Sequence, residues 1–346
     1  MIDASIQRLW QPRPGWLNTT SYGLPPRATV EALRTVIDQW QSGACSWEEW
    51  EPAVNESRRL FAEMVHVPYD TVVTGAAVSQ LLAPIAAAIP DGSRVLVPVE
   101  EFTSNLFPYL VHEDRGVEVV TLPAEKLLDA IDERTDVVAF SLVQSASGYV
   151  APLAELTAAA RAVSALSIVD CSQAAGWLPF DASEIDVLVC AAYKWLMAPR
   201  GAAFAAVRPE FAERIRPLSA GWYAGEDFHQ TYYGPPLRLA ASARRFDISP
   251  AWFCWVGAAP SMQALQTAGI EAIYEHDVAL ANAFLAGLGL PPSDSAVVSV
   301  AIDEGAAERL EAAGVVTAVR AGRVRLSFHL YNTMSDVDTA VTSITG

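Results

Sequence analysis

Short apolar runs alternate with helix-length segments along most of this chain, which restricts it to an α/β fold built on a mostly parallel sheet. Residues 94–97, 137–143, 166–169, 186–190 and 202–207 read as strands. Between them, residues 153–164, rich in Ala and Leu, and residues 125–133 read as helices. Near the end the pattern changes. Residues 297–302 and 323–328 read as strands around a helix at 304–313. A last helix at 335–344 carries Asp336 and Asp338 in its first turn, where the helix dipole favours carboxylates. A chain of 346 residues has room for two cores. The expected organisation is a large domain over residues 1–250, its sheet flanked by helices, and a small C-terminal α/β domain over residues 251–346. The joint between them is the Pro-, Gly- and aromatic-rich stretch 222–250.

Charge and composition exclude several function classes. The formal charge is −17, from 40 acids against 23 bases, and no basic run offsets it. Nucleic acid and anionic membrane are therefore not expected partners. The first residues lack a basic stretch followed by an apolar one, so no signal peptide is expected. The most apolar stretch, residues 72–90, is interrupted by Thr74, Gly75, Ser79, Gln80 and Pro84, and reads as buried rather than membrane-spanning. Cys45, Cys171, Cys190 and Cys254 form no CxxC pair, and the histidines show no metal-ligand spacing. The expectation is a reduced, cytoplasmic protein without a metal site.

One amine stands out. The chain has only two lysines, Lys126 and Lys194. Lys126 sits in an ordinary helical pattern, whereas Lys194 follows an apolar strand in Ala191-Ala192-Tyr193-Lys194-Trp195-Leu196. A lysine in that setting is either a snorkelling surface residue or an amine of lowered pKa, and Schiff-base chemistry needs the latter. Upstream, Asp170 ends another apolar strand, at the edge where open α/β sheets gather their ligands. Its carboxylate can cap a helix or hold a cationic ligand, and Gln173 can reach the same place. At Val73-Thr74-Gly75-Ala76-Ala77 a strand turns through Gly into a helix, whose free amides can hold a phosphate.

In order along the chain stand D-x-x-Q-x-x-G from Asp170, Y-K-W-x-x-x-P-R-G from Tyr193 and R-x-S-x-x-x-Y-N-T from Arg325. Together these motifs resemble the class V aminotransferase family of fold-type I enzymes dependent on pyridoxal 5'-phosphate (PLP). That group includes cysteine desulfurases, selenocysteine lyases, kynureninases and isopenicillin-N-epimerase-like proteins. The resemblance implies a PLP Schiff base on Lys194, Asp170 on the pyridinium nitrogen and Gln173 near the phenolic oxygen. It implies Phe102 stacked on the ring, where the desulfurases have His; the substitution removes an acid–base group. The amides around Gly75, Ala76 and Ala77 and the Tyr193 hydroxyl would hold the phosphate. The family often has Ser or Thr at positions 77 and 191, so hydroxyl donors are fewer here. Arg325 would bind the substrate carboxylate as a bidentate fork. A homodimer with shared sites is implied too, with Ser249 the donor across the interface.

The same comparison narrows the reaction. Desulfurases carry a nucleophilic cysteine on a loop before the R-x-S strand, and residues 313–325 contain none, so persulfide formation is disfavoured. Aminotransferase chemistry on an amino acid leads, because it needs only the lysine as proton shuttle. Cβ–S lyase, as in ergothioneine-type pathways, and epimerase remain alternatives; for the lyase the substrate-binding Tyr22, or a side chain from Trp222-Tyr223 or Tyr232-Tyr233, is the candidate acid for the leaving group. A catalytically dead PLP-fold subunit is the non-enzymatic alternative, against which the retained lysine, acid and arginine argue. A nucleotide-binding protein ranks low because G-x-G-x-x-G and a Walker lysine are missing.

Overall fold

The computed structural model describes residues 2–346. Seven strands form one sheet: β1 (Val72–Gly75), β2 (Arg94–Pro98), β3 (Glu118–Leu122), β4 (Val137–Ser141), β5 (Leu166–Asp170), β6 (Val187–Ala191) and β7 (Ala203–Val207). Their spatial order is β1-β7-β6-β5-β4-β2-β3. The run from β3 to β6 is parallel, while β7 is antiparallel to both β6 and β1. Every residue of β4, β6 and β7 is buried. Such continuous apolar strands follow from helices covering both faces. Alternate residues feed opposite cores: Val138 and Phe140 join one, Val137 and Ala139 the other.

On the first face pack the helices Glu51–Met64, Leu153–Ala162 and Trp252–Ala268; on the second packs Val78–Ala87. The expected helix at 125–133 is much shorter. It closes after Ala130 because Asp132 accepts from the Arg134 amide and the Thr135 hydroxyl, a local turn that competes with the helix. A second, antiparallel sheet joins β8 (Val297–Val300), β9 (Ala318–Arg320) and β10 (Arg323–Ser327) in the order β8-β10-β9. Its core is shared with the helices Ile270–Gly287, Glu304–Ala312 and Met334–Thr345. Among the described residues no helix is long and apolar enough to cross a membrane.

One segment ties the two sheets together. Leu17 donates its amide to Val316, and Asn18 bridges to Ser327 of β10. A few residues on, Gly23 donates to the Tyr193 carbonyl beyond β6.

Candidate active site

Register decides what gathers at the carboxyl edge of the large sheet. Gly75 lies beside Ala203, and Ala203 beside Ala191. On the next strands Asp170 lies beside Val189 and Ser141 beside Asp170. The Gly75 turn, the Lys194 loop and Asp170 therefore open on one rim, where ligands of such sheets bind.

Lys194 is buried there, 7% exposed. Its Nζ stands 5.3 Å from the Phe102 ring centroid and 5.9 Å from that of Tyr193. Burial pushes the amine below its ordinary pKa; Asp170 pulls it back up, and Arg325 and Arg200 push it down again. Asp170, equally buried, is pushed up by loss of solvent and drawn down by Lys194 and by the Ser172 amide 2.8 Å from Oδ1. Yet among the described residues no ion pair joins Lys194 to Asp170 directly. The two buried groups feel each other's charge without an ion pair between them, a combination of amine and acid that fits PLP. One edge of it would meet the amine and the other the acid.

Arg325, at the centre of β10, reaches the same place and is 2% exposed. Nη1 donates to the Ser145 carbonyl and Nη2 to Ser21 Oγ at 3.3 Å, while the buried Nε has no partner. The edge formed by Nε and Nη2 is thus a fork with donors to spare. Burial, then Arg320, lower this guanidinium to about 10, so it stays cationic at neutral pH.

Of the other expected residues, Gln173 is held behind the lysine loop. Its amide donates to the Thr20 carbonyl at 3.1 Å and accepts from Trp195 Nε1 at 2.8 Å, leaving one N–H free. Phe102 is half exposed on the open side, and the Arg200 guanidinium lies 4.5 Å over the Tyr193 ring. At the Gly75 turn the amide of Ala76 is already bonded to Gln80 Oε1 at 3.0 Å, and Ala77 caps the helix that begins at Val78. A phosphate there would have to displace Gln80 or use the amides beyond it. Tyr22 is 52% exposed with its ring 4.8 Å from that of Trp16; its neighbour Ser21 is the one that meets Arg325. Ser249 is exposed, two residues beyond Asp247, whose Oδ1 accepts from the Thr74 amide at 2.8 Å. The aromatic stretch after residue 222 forms a packing cluster: Trp222 and Phe228 lie 5.1 and 5.7 Å from Trp47, which stacks on Trp252.

Two contributors have no sequence signal of their own. Glu101 is buried beside Asp170, and its carboxylate gathers the Ser141 amide at 2.7 Å, the Ser141 hydroxyl, Gln144 Nε2 at 3.1 Å and the Phe102 amide at 3.0 Å. Burial raises it, the Ser141 hydroxyl opposes this, and Asp170 raises it further. It fixes the Phe102 backbone to the end of β4. Gly23 is the second: a Cβ there would stand 2.0 Å from the Lys194 carbonyl oxygen. Gly23→Ala should therefore displace the lysine loop and cost about 1–3 kcal/mol of stability. A denaturant titration checks this, and an unchanged midpoint would contradict the contact.

Residues 40–299 match the family model described as Aminotransferase class-V. The "Uncharacterized aminotransferase YcbU" of Bacillus subtilis (strain 168) is 27% identical over 335 residues, covering 90% of this chain and 89% of that protein. Among solved structures, the cystine C-S lyase C-DES with its product cysteine persulfide superposes with a TM-score of 0.86. It is 19% identical, over 96% of this chain and 97% of the other. The cysteine desulfurase CsdA of Escherichia coli gives 0.82 at 20% identity, over 96% and 94%. The architecture is that of these enzymes, and the family match spans well over half of the residues. On that footing this chain belongs to the class-V aminotransferase family.

Proposed function

We propose that this protein is a PLP-dependent aminotransferase acting on an α-amino acid. The observation that carries the reading is Lys194: a buried amine, lowered by burial, faced by the Phe102 and Tyr193 rings and coupled to Asp170 and Arg325. When bound, PLP supplies an electron sink conjugated with the substrate Cα. Asp170 would hold the ring nitrogen in its protonated form. Arg325 would orient the substrate by its α-carboxylate on the Nε–Nη2 edge, and Phe102 would pack beside the cofactor without a proton to give. Lys194, neutral more readily than an exposed lysine, is the residue that would hold the cofactor and move the proton at Cα. The reading includes a cytoplasmic homodimer in which Ser249 of one protomer reaches the phosphate of the other.

Three of the four thiols support transamination over persulfide formation. Cys171 and Cys190 are wholly buried, and burial raises the Cys171 thiol and, less strongly placed, that of Cys254. A nucleophilic cysteine needs the opposite shift and an open position. Single-turnover mixing of the PLP-loaded protein with a panel of amino acids, without an amino acceptor, tests the reaction. Transamination gives 2-oxo acid in step with protein and no free ammonia. Pyruvate with ammonia and a thiol would make it a C–S lyase, and inverted amino acid alone an epimerase.

A further inference from the structure

Behind the lysine loop lies a second polar cluster. Asp277, on the helix Ile270–Gly287, and His329, just beyond β10, are both fully buried. His329 Nδ1 stands 2.8 Å from Asp277 Oδ2, and Nε2 stands 3.1 Å from the carbonyl oxygen of Trp195, the residue after Lys194. A carbonyl only accepts, so Nε2 carries a hydrogen. One further proton is then shared between Nδ1 and Oδ2. Two states satisfy this count: imidazolium with carboxylate, or neutral imidazole with carboxylic acid.

The surroundings choose between them. Asp277 Oδ1 is buried with no hydrogen-bond partner, a costly state for a carboxylate and a mild one for an acid. The Trp195 and Tyr331 rings enclose the imidazole at 5.1 and 5.5 Å. The neighbouring His276 is itself held neutral, accepting from the Ile2 amide at Nδ1 and donating from Nε2 to the Asn332 carbonyl. Burial raises the Asp277 carboxyl well above its ordinary range and lowers His329 to about 3.

We propose that Asp277 and His329 form a neutral couple whose one outward bond, Nε2–H to the Trp195 carbonyl, holds the peptide that aims Lys194. The rest of the loop is already clamped. Trp195 Nε1 is bonded to Gln173, and the Met197 amide closes back on the Lys194 carbonyl at 3.0 Å. At Gly176, where φ is +108°, a Cβ would stand 2.7 Å from Trp195 O. Asp277 and His329 are thus positioning residues, acting on the amine through the backbone. Their effect on catalysis rests on the reading of Lys194 as the cofactor-bearing amine; their proton count does not.

The experiment has two arms. In the first, the protein labelled with nitrogen-15 in its five histidines is observed by NMR without cofactor. His329 should show a single protonated nitrogen, Nε2, unchanged from about pH 5 to pH 9; two protonated nitrogens would overturn the neutral couple. In the second, Asp277→Asn and Asp277→Ala are compared after loading with PLP. The carboxamide can donate to Nδ1 as the acid does, so Asp277→Asn should keep kcat and the pH at which the bound chromophore changes colour. Asp277→Ala should lower kcat on the order of a hundredfold with KM little changed, and shift that pH. Equal losses in both variants, or none in either, would refute the positioning role. A wild-type protein that takes up no PLP would instead refute the assignment of Lys194, while the nitrogen spectrum still decides the couple.

Discussion

Lys194→Ala is expected to remain colourless after incubation with PLP and to lose about 10²- to 10⁴-fold in kcat, while folding as well as the parent. The first part follows from scarcity: the only other lysine, Lys126, has a side chain 68% exposed and an i,i+3 partner in Asp129 at 3.9 Å. No second lysine is placed to substitute. The second part follows from energetics. The amine is buried without an ion pair to Asp170, so its charged form carries a desolvation cost that the nearby carboxylate only partly offsets and that the substitution removes. Loss of the four-carbon stem works the other way. The two nearly offset, and a thermal melt should move by no more than about 3 °C. Lys126→Ala is the control, expected to keep both colour and rate. A Lys194→Ala protein that stays yellow and active would end the assignment.

The second large effect is expected at Arg325. Replacing it by Lys keeps the charge but removes the planar fork, leaving one point donor where Nε and Nη2 offered two. It also leaves the Ser145 carbonyl without the guanidinium that now fills it. A charge-assisted hydrogen bond is worth roughly 1.5–3 kcal/mol, so kcat/KM for an amino acid should fall about ten- to a hundredfold. For an amine substrate lacking the α-carboxylate the same substitution should change little. Equal losses for both would show that Arg325 supports the fold rather than recognising the carboxylate.

What the sequence made legible follows from burial. The inner strands are apolar without interruption because both their faces are covered, so they stand out; β3 and β9, half exposed at sheet edges, carry no such signature. Lys194 and Asp170 were visible for the complementary reason, since a charge ending an apolar run is conspicuous. Glu101 is not: it is one of two adjacent glutamates, and what distinguishes it are partners 40 and 43 residues away at Ser141 and Gln144. The contacts of Ser21 with Arg325 and of Trp195 with His329 span 304 and 134 residues, and no local pattern encodes them. The backbone of the Gly75 turn is strand, turn and helix as its sequence implies, but no spacing encodes the side chain of Gln80 on the Ala76 amide.

Borohydride reduction of the PLP-incubated protein, followed by mass mapping of its peptides, tests the central assignment most directly. The phosphopyridoxyl mass should appear on the peptide containing Lys194 and nowhere else. Label on Lys126, or no label at all on a protein that is folded by circular dichroism, would contradict it.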